Sequence, residues 1–136
     1  MLVDLGSINW WAVLVATVVA YGMGAVWYAP PVFGNRWMAA LGKTKDQLGD
    51  PLKLMVMQFF LTFVIAAVLA VVVVRFGAVN WIEGAAIGFV LSAGLVATSL
   101  LSEWMFCGFA MKLYRIQMGY KLVTVTAMGA ILGAWR

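Results

Sequence analysis

The sequence contains no histidine and only one cysteine, Cys107. A single cysteine excludes a disulfide within the chain, and the lack of histidine excludes the familiar histidine-based metal, haem and acid–base sites. Charged residues are also scarce: they make up 10% of the sequence, against about 25% in an average soluble domain. So little charge cannot supply the polar surface of a soluble globule, and that class is excluded.

What the chain has in quantity is apolar residues, 65% of its 136 positions, in four long stretches. About 20 residues of helix are needed to cross about 30 Å of hydrocarbon, so each stretch is long enough to span a membrane. We therefore predict an all-α membrane protein with four transmembrane helices. They form a single domain over residues 1–136, with spans at about 8–28, 54–74, 84–102 and 116–135.

The end of the first span is marked by a corner rich in aromatic residues and proline. Proline lacks an N–H and disfavours a helical conformation in the residue before it, so the helix should stop near Tyr28. The residues that follow repeat apolar side chains every three or four positions, which predicts a short amphipathic helix on the membrane surface, ending at Gly42. A second amphipathic connector is predicted at 104–115, after the third span. The corner residues are Trp27, Tyr28, Pro30, Pro31, Phe33 and Trp37. We interpret them as an architectural corner, with a docking site for a partner or lipid as the alternative.

Every predicted span carries small residues four positions apart, the spacing that lets membrane helices approach closely. These helix-packing candidates are Ala16, Ala20, Gly24, Ala66, Ala70, Gly84, Gly88, Ser92, Gly129 and Gly133. Asn-Trp precedes both the first and the third span, at Asn9-Trp10 and Asn80-Trp81. This suggests two hairpins related as a parallel repeat. The alternative is that interface chemistry alone places Asn-Trp at the start of a span.

Basic residues are concentrated in the first and third loops, which four spans place on one side. They are Arg36, Lys43, Lys45, Lys53, Lys112 and Arg115, whereas the other side has Arg75 and Arg136. By the positive-inside rule the basic side is cytoplasmic, and both termini lie outside. We expect anionic lipid head groups, and not nucleic acid, to be the partners of these charges.

Few polar groups fall within the spans. Lys121 lies five residues into the last one, shallow enough to snorkel to the interface. Glu103 belongs to the same end, so we expect the two to form an interhelical polar pair, the alternative being that each reaches water separately. A candidate polar pathway comprises Gln58, Thr62, Ser92, Thr98 and Ser99. Serine and threonine in membrane helices commonly bond to the backbone, and no histidine base is present to activate them. We therefore predict no catalytic site, no cofactor and no metal.

Three blocks of sequence resemble a widespread family of small bacterial membrane proteins known only as a domain of unknown function. They are Ile8–Trp10, then Gly24–Pro30 with Phe33, Gly34 and Trp37, and finally Gly119–Val123 with Met128–Leu132 and Trp135. The resemblance covers nearly the whole chain and implies four transmembrane helices in the bacterial inner membrane, but no activity. The chain departs from the pattern at Met105–Gly108, where an acidic residue is expected.

Three functions remain after these exclusions. The small-residue faces favour a structural or accessory protein that self-associates as a homo-oligomer or joins a larger membrane complex. The alternative is a small-solute transporter or channel formed by oligomerisation, with the polar candidates lining its pathway. The third is a lipid-modifying enzyme at the cytoplasmic interface, for which the chain has hydroxyl and thiol groups but no base.

Overall fold

The computed structural model describes residues 4–43, 46, 49–108 and 110–135. In these residues the chain is helical, without strands, so the all-α prediction is confirmed. The five helices are α1 (Trp10–Trp27), α2 (Asn35–Leu41), α3 (Pro51–Arg75), α4 (Trp81–Cys107) and α5 (Met111–Ala134). A π-helical turn, Pro30–Gly34, precedes α2, and a π-helical segment, Ser92–Ala97, interrupts α4.

Asparagine and aspartate side chains begin three of the long helices. Asn9 accepts hydrogen bonds from the backbone N–H groups of Trp11 and Ala12 at 3.1 and 3.2 Å. Asn80 accepts one from Glu83 at 3.0 Å, and Asp50 caps α3. Such caps satisfy N–H groups that have no partner inside the helix. Both Asn-Trp pairs therefore mark a helix start through the same local chemistry.

The four long helices run alternately up and down, with α5 in the middle. At one end Trp27 donates its indole N–H to the carbonyl of Ile116 at 3.1 Å, and at the other Asn9 donates to the carbonyl of Trp135 at 3.4 Å. These two contacts tie opposite ends of α1 and α5 together, so the two helices are antiparallel and in register. Helix α5 contacts each of the other four helices.

The closest approach in the bundle is between α4 and α5. A Cβ atom added to Gly133 would lie 2.5 Å from the carbonyl oxygen of Asn80. One added to Gly84 would run into the carbonyl of Gly129, and one on Gly88 into the carbonyl of Val125. Only residues without a side chain allow two backbones to come this close. The remaining core is built from small and branched side chains of α1, α3 and α5.

Large apolar side chains cover the outside of the bundle. They occur on α1, α3 and α4, where Val18, Phe60, Val64, Val90 and Leu95 are all exposed. Soluble monomers rarely expose a continuous apolar surface of this kind. Large apolar residues therefore lie on the outward faces as well as in the core, where a soluble bundle would carry polar residues on the outside.

The number of membrane-compatible helices differs from the prediction. Three helices of the described chain, α1, α3 and α4, are long and apolar enough to cross a membrane, not four. Helix α5 has sufficient length, at 24 residues, but its first half carries Lys112, Arg115 and Lys121. It can be less apolar because other helices surround it: ten of its residues are buried.

The predicted connector at 104–115 is also wrong as a separate element. Helix α4 continues to Cys107, and Gly108 ends it with a positive φ of 70°. Helix α5 then begins at Met111, five residues before the predicted span. Nothing in Trp104–Cys107 breaks a helix, so the aromatic and methionine residues form the last turn of α4.

The first connector does contain the predicted short helix, α2, which ends at Gly42 with φ of 72°. Lys45 and Arg136 lie outside the described residues.

Candidate functional site

A cluster of aromatic rings fills the corner where α1 ends. Trp27 stacks on Phe33 with ring centroids 4.6 Å apart, and Tyr28 meets Trp37 edge-on at 5.5 Å. Tyr28 also meets Tyr120 of α5 at 5.3 Å, again edge-on. Stacked and edge-to-face pairs at such separations add to the stabilisation from burial. The corner is therefore anchored to α5 as well as to the start of α2.

Glycines make this aromatic packing sterically feasible. A Cβ on Gly24 would lie 2.9 Å from the hydroxyl oxygen of Tyr120, and one on Gly119 would lie 2.9 Å from the indole ring of Trp27. A Cβ on Gly34 would meet the backbone of Tyr28 and Ala29. The turn itself is closed by a hydrogen bond from the N–H of Gly34 to the carbonyl of Ala29 at 2.9 Å.

Beside this corner lies a partly open cavity of about 510 Å³, lined by residues of α1, α3, α5 and the corner itself. Its volume falls within the range of about 300–1,000 Å³ that small-molecule sites occupy. Part of its wall is apolar and contributed by Gly24, Ala25, Leu54 and Met55. Leu54 and Met55 are about half exposed, at 50% and 54%, so the cavity is open on the side between α1 and α3.

The rest of the wall is polar and comes from several different helices. It consists of Tyr21, Tyr28, Trp37, Gln58, Gln117, Tyr120 and Lys121. Lys121 is the charged group among the described residues that line the cavity, and its ammonium lies 5.6 Å from the centroid of the Tyr120 ring. The indole N–H of Trp37 is buried and has no hydrogen-bond partner among the described residues. An apolar pocket with a few convergent polar groups is the usual form of a ligand site.

A family model described as "Protein of unknown function (DUF1761)" matches residues 11–133. The chain belongs to this family. The match confirms the resemblance to a family that is known only as a domain of unknown function. No curated protein and no solved structure matches the chain. The DUF1761 match includes every residue that lines the cavity.

The small-residue stripes are used inside the chain. Ala16, Ala20, Ala66 and Ala70 are buried in the core, as are Gly84, Gly88, Ser92, Gly129 and Gly133 along the contact of α4 with α5. Gly24 lies against Tyr120. These residues bring the helices of one DUF1761 chain together, so they supply no spare surface for a second copy.

The residues of the candidate polar pathway do not converge. The hydroxyl of Thr62 donates to the carbonyl of Gln58 at 2.8 Å, that of Ser92 to Phe89 at 3.1 Å, and that of Thr98 to Gly94 at 2.7 Å. Each threonine or serine thus satisfies its own helix backbone. Ser99 and Thr98 are exposed on α4. Of the five candidates, Gln58 alone is among the described residues that line the cavity.

Glu103 and Lys121 form neither an ion pair nor a hydrogen bond in the described part of the chain. Glu103 is exposed near the end of α4, whereas Lys121 faces the cavity on the side of α1 and α3. Adjacent spans bring the two residues to the same end of the bundle, but onto different faces. The expected polar pair is therefore absent from the structure.

Sequence reasoning missed part of the cavity. Tyr21, Ala25, Leu54, Met55, Gln117 and Tyr120 line it, and none is among the site residues that the sequence predicts. Two blocks of the family pattern, Gly24–Pro30 and Gly119–Val123, could have indicated the cavity, since both belong to the resemblance although they are far apart in the sequence. The structure brings these two blocks into contact through Gly24 and Tyr120.

Proposed function

We propose that this DUF1761 protein is a multipass protein of the bacterial inner membrane that binds a small amphipathic ligand in the cavity beside its aromatic corner. It has four spans, and both termini lie outside. The observation that carries the binding role is the convergence of Lys121, glutamine and tyrosine side chains on one cavity of about 510 Å³. The bacterial assignment rests on the family resemblance of the sequence blocks.

The register of α1 with α5 supports a fourth span. Helix α1 has 18 residues, which at 1.5 Å per residue is about 27 Å. Helix α5 is bonded to α1 at both ends of that length, through Ile116 and Trp135. A helix fixed to both ends of a membrane-crossing neighbour must cross the same layer. Its lower hydropathy is compatible with this because α5 faces other helices and the cavity more than lipid.

The distribution of charge supports the orientation. Arg36, Lys53, Lys112 and Arg115 are all exposed, in α2 or near the starts of α3 and α5, and the hydrogen bond from Trp27 to Ile116 lies at the same end. Arg75 terminates α3 at the opposite end. The positive-inside rule then makes the cavity end cytoplasmic. The cavity lies towards that end because its lining comes from the last two turns of α1, the first turns of α3, and the second and third turns of α5.

The structure shifts support away from the two functions favoured by the sequence. Self-association or a role as an accessory subunit depends on free small-residue faces, and these faces are occupied within the chain. A solute pathway needs hydroxyl groups that face a common space, and those of Thr62, Ser92 and Thr98 bond to the backbone of their own helices. The cavity needs neither a second copy nor a continuous path, and it therefore gives the better-supported function.

A pair of neighbouring substitutions tests whether the cavity binds ligands. Ala25→Phe adds a ring inside the cavity, whereas Val26→Phe adds one on a neighbouring exposed position that does not line it. Thermal unfolding of the purified chain is measured in mild detergent with monoacyl amphiphiles of one chain length and different head groups. A ligand at 100 times its Kd stabilises the folded state by about 2.7 kcal/mol.

We expect at least one amphiphile to raise the Tm of the unaltered chain and of Val26→Phe, but not of Ala25→Phe. If every amphiphile affects the three proteins equally, the cavity is not a binding site and the proposed function is wrong. The Tm without added amphiphile shows whether Ala25→Phe is folded. Should it unfold, Ala25→Leu, which fills less of the cavity, takes its place in the same comparison.

A further inference from the structure

We infer that the ligand is an acidic lipid drawn from the cytoplasmic leaflet, with its phosphate or carboxylate head group bound beside Lys121. This inference rests on the proposed binding function and adds the chemical class of the ligand. It follows from the charge of the cavity, from the hydrogen-bonding groups around that charge, and from the side on which the cavity opens.

The charge of the lining is positive and uncompensated. Lys121 lines the cavity, no Asp or Glu is among the described residues that do so, and Lys121 forms no ion pair in the described chain. A partly buried ammonium without a counter-ion is costly because it loses hydration without a compensating partner. An anionic head group would supply that partner. A neutral ligand would leave the ammonium unpaired, and a cationic one would repel it.

The groups around Lys121 are rich in hydrogen-bond donors. Tyr28 and Tyr120 line the cavity and each carries a hydroxyl that can donate, whereas the indole N–H of Trp37 is buried and does not face the accessible space. Gln117 lines the same cavity and its side-chain amide makes no hydrogen bond among the described residues, while Gln58 is held by a 3.3 Å bond from its amide nitrogen to Thr62. Phosphate and carboxylate oxygens accept hydrogen bonds, so such a head group complements this set.

The open side of the cavity indicates a ligand that arrives from the bilayer. Ala25 of α1 and Leu54 and Met55 of α3 form an apolar wall and are exposed at the outer surface of the bundle. Lys121 follows Ile116, the acceptor of the Trp27 bond, by five residues, which is about 7.5 Å along the helix axis. This is about half the depth of one leaflet's hydrocarbon, a distance that the long lysine side chain can span to reach the head-group level. A lipid can therefore reach Lys121 with its head group while its chain stays in the leaflet.

The test compares ligands that share one acyl chain and differ in the head group. The set contains a monoacylglycerol phosphate, a fatty acid, a zwitterionic monoacyl phosphocholine lipid and a neutral monoacylglycerol, with inorganic phosphate as a probe without a chain. Each is titrated against the full-length chain in mild detergent, and the apparent Kd is taken from the Tm shift. The variants are Lys121→Gln and, as a matched control on the same helix, the exposed Lys112→Gln.

We expect one or both acidic amphiphiles to bind about tenfold or more tightly than the neutral one, since hydrogen bonds to charged groups exceed neutral ones by this order. Lys121→Gln should remove most of that preference, and Lys112→Gln should retain it. Lys121→Arg, which keeps the charge, should preserve a preference for acidic head groups. It also serves as the test if Lys121→Gln does not fold.

The outcomes separate this inference from the proposed function. If the neutral and zwitterionic amphiphiles bind as tightly as the acidic ones, and Ala25→Phe still abolishes binding, the cavity is a ligand site but its acidic preference is refuted. If inorganic phosphate binds as tightly as the acidic amphiphiles, the lipid origin of the ligand is refuted. If no amphiphile shows binding that depends on Ala25→Phe, both the inference and the proposed function fail.

Discussion

Replacing Gly84 by alanine tests the contact between α4 and α5 most directly. The new Cβ would overlap the carbonyl of Gly129 and lie 2.9 Å from the Cα of Gly133. Both neighbours are backbone atoms of a long helix, so they cannot turn aside as a flexible side chain could. Relief requires the two helices to separate, and this loosens the closest packing in the bundle.

The magnitude follows from two opposing effects. Overpacking a well-packed site costs about 1–3 kcal/mol, and the upper end applies where backbone atoms must move. Alanine is favoured over glycine within a helix by about 1 kcal/mol, which offsets a part of that cost. We expect Gly84→Ala to lower the free energy of unfolding by about 2 kcal/mol, a roughly thirtyfold change in the folding equilibrium.

The chain offers two matched controls. Gly22 on α1 and Gly94 on α4 have no neighbour within 4 Å of an added Cβ. Gly22→Ala and Gly94→Ala therefore carry the helix preference without the clash and should be neutral or stabilising by up to about 1 kcal/mol. Unfolding of all three variants is followed by circular dichroism in the same mild detergent, with denaturant or heat.

A second variant shows whether the cost belongs to this particular contact. Gly129→Ala would place its Cβ against the carbonyl of Gly84, so the two substitutions act on one interface. Once the helices have separated for the first, the second should add less than its individual cost. The reasoning is refuted if Gly84→Ala is as stable as Gly94→Ala, or if the costs of Gly84→Ala and Gly129→Ala simply add.

Three further predictions concern other parts of the chain. Trp27→Phe removes the hydrogen bond to Ile116 but keeps an aromatic ring, and should cost about 1 kcal/mol of unfolding free energy in the same assay; no loss would mean that the bond contributes nothing. Asn80→Ala removes the cap of α4 and should cost about 1 kcal/mol, whereas an unchanged stability would show that solvent replaces the cap. In intact cells a membrane-impermeant maleimide should label Gly77→Cys, made in a Cys107→Ser background, because Gly77 lies at the end proposed to be outside. The same reagent should not label Cys107 of the unaltered chain, and labelling there would reverse the proposed orientation.

Local features of the fold were predictable because they depend on nearby residues. Asn9 caps α1, Pro30 follows its end, and Gly42 ends α2 with a left-handed conformation. Each of these outcomes follows from the hydrogen bonds or torsion angles of a few consecutive residues. The sequence also identified the glycines of α4 and α5 as small-residue stripes.

Pairing between distant stripes was not predictable in the same way. The stripes that contain Gly84 and Gly129 have small residues four positions apart, as does the stripe that contains Ala16 and Ala20. This shared spacing does not predict which helix packs against which. The structure pairs the two glycine stripes with one another. The glycine stripes therefore pack within one chain. The sequence alone does not distinguish this from packing between copies of the chain.

The cavity was hidden for a related reason. Its lining combines residues of α1, α3 and α5 with Trp37 of α2. Gln117 and Lys121 are one helical turn apart and share a face of α5, but the residues they face are more than fifty positions away. The charge of Lys121 is evident from the sequence. Its surroundings depend on contacts of α5 with α1 and α3, which the spacing of apolar residues does not predict.

The central position of α5 has a consequence for how the chain is assembled. Helix α5 is synthesised after α1, α3 and α4, and Lys112, Arg115 and Lys121 raise the free energy of placing its first half alone in hydrocarbon. The three apolar helices made before it would already be in the membrane and would offer a lined space in place of lipid. Insertion of α5 should then depend on the helices before it, so that deleting α1 and α3 would leave α5 unable to enter the bilayer.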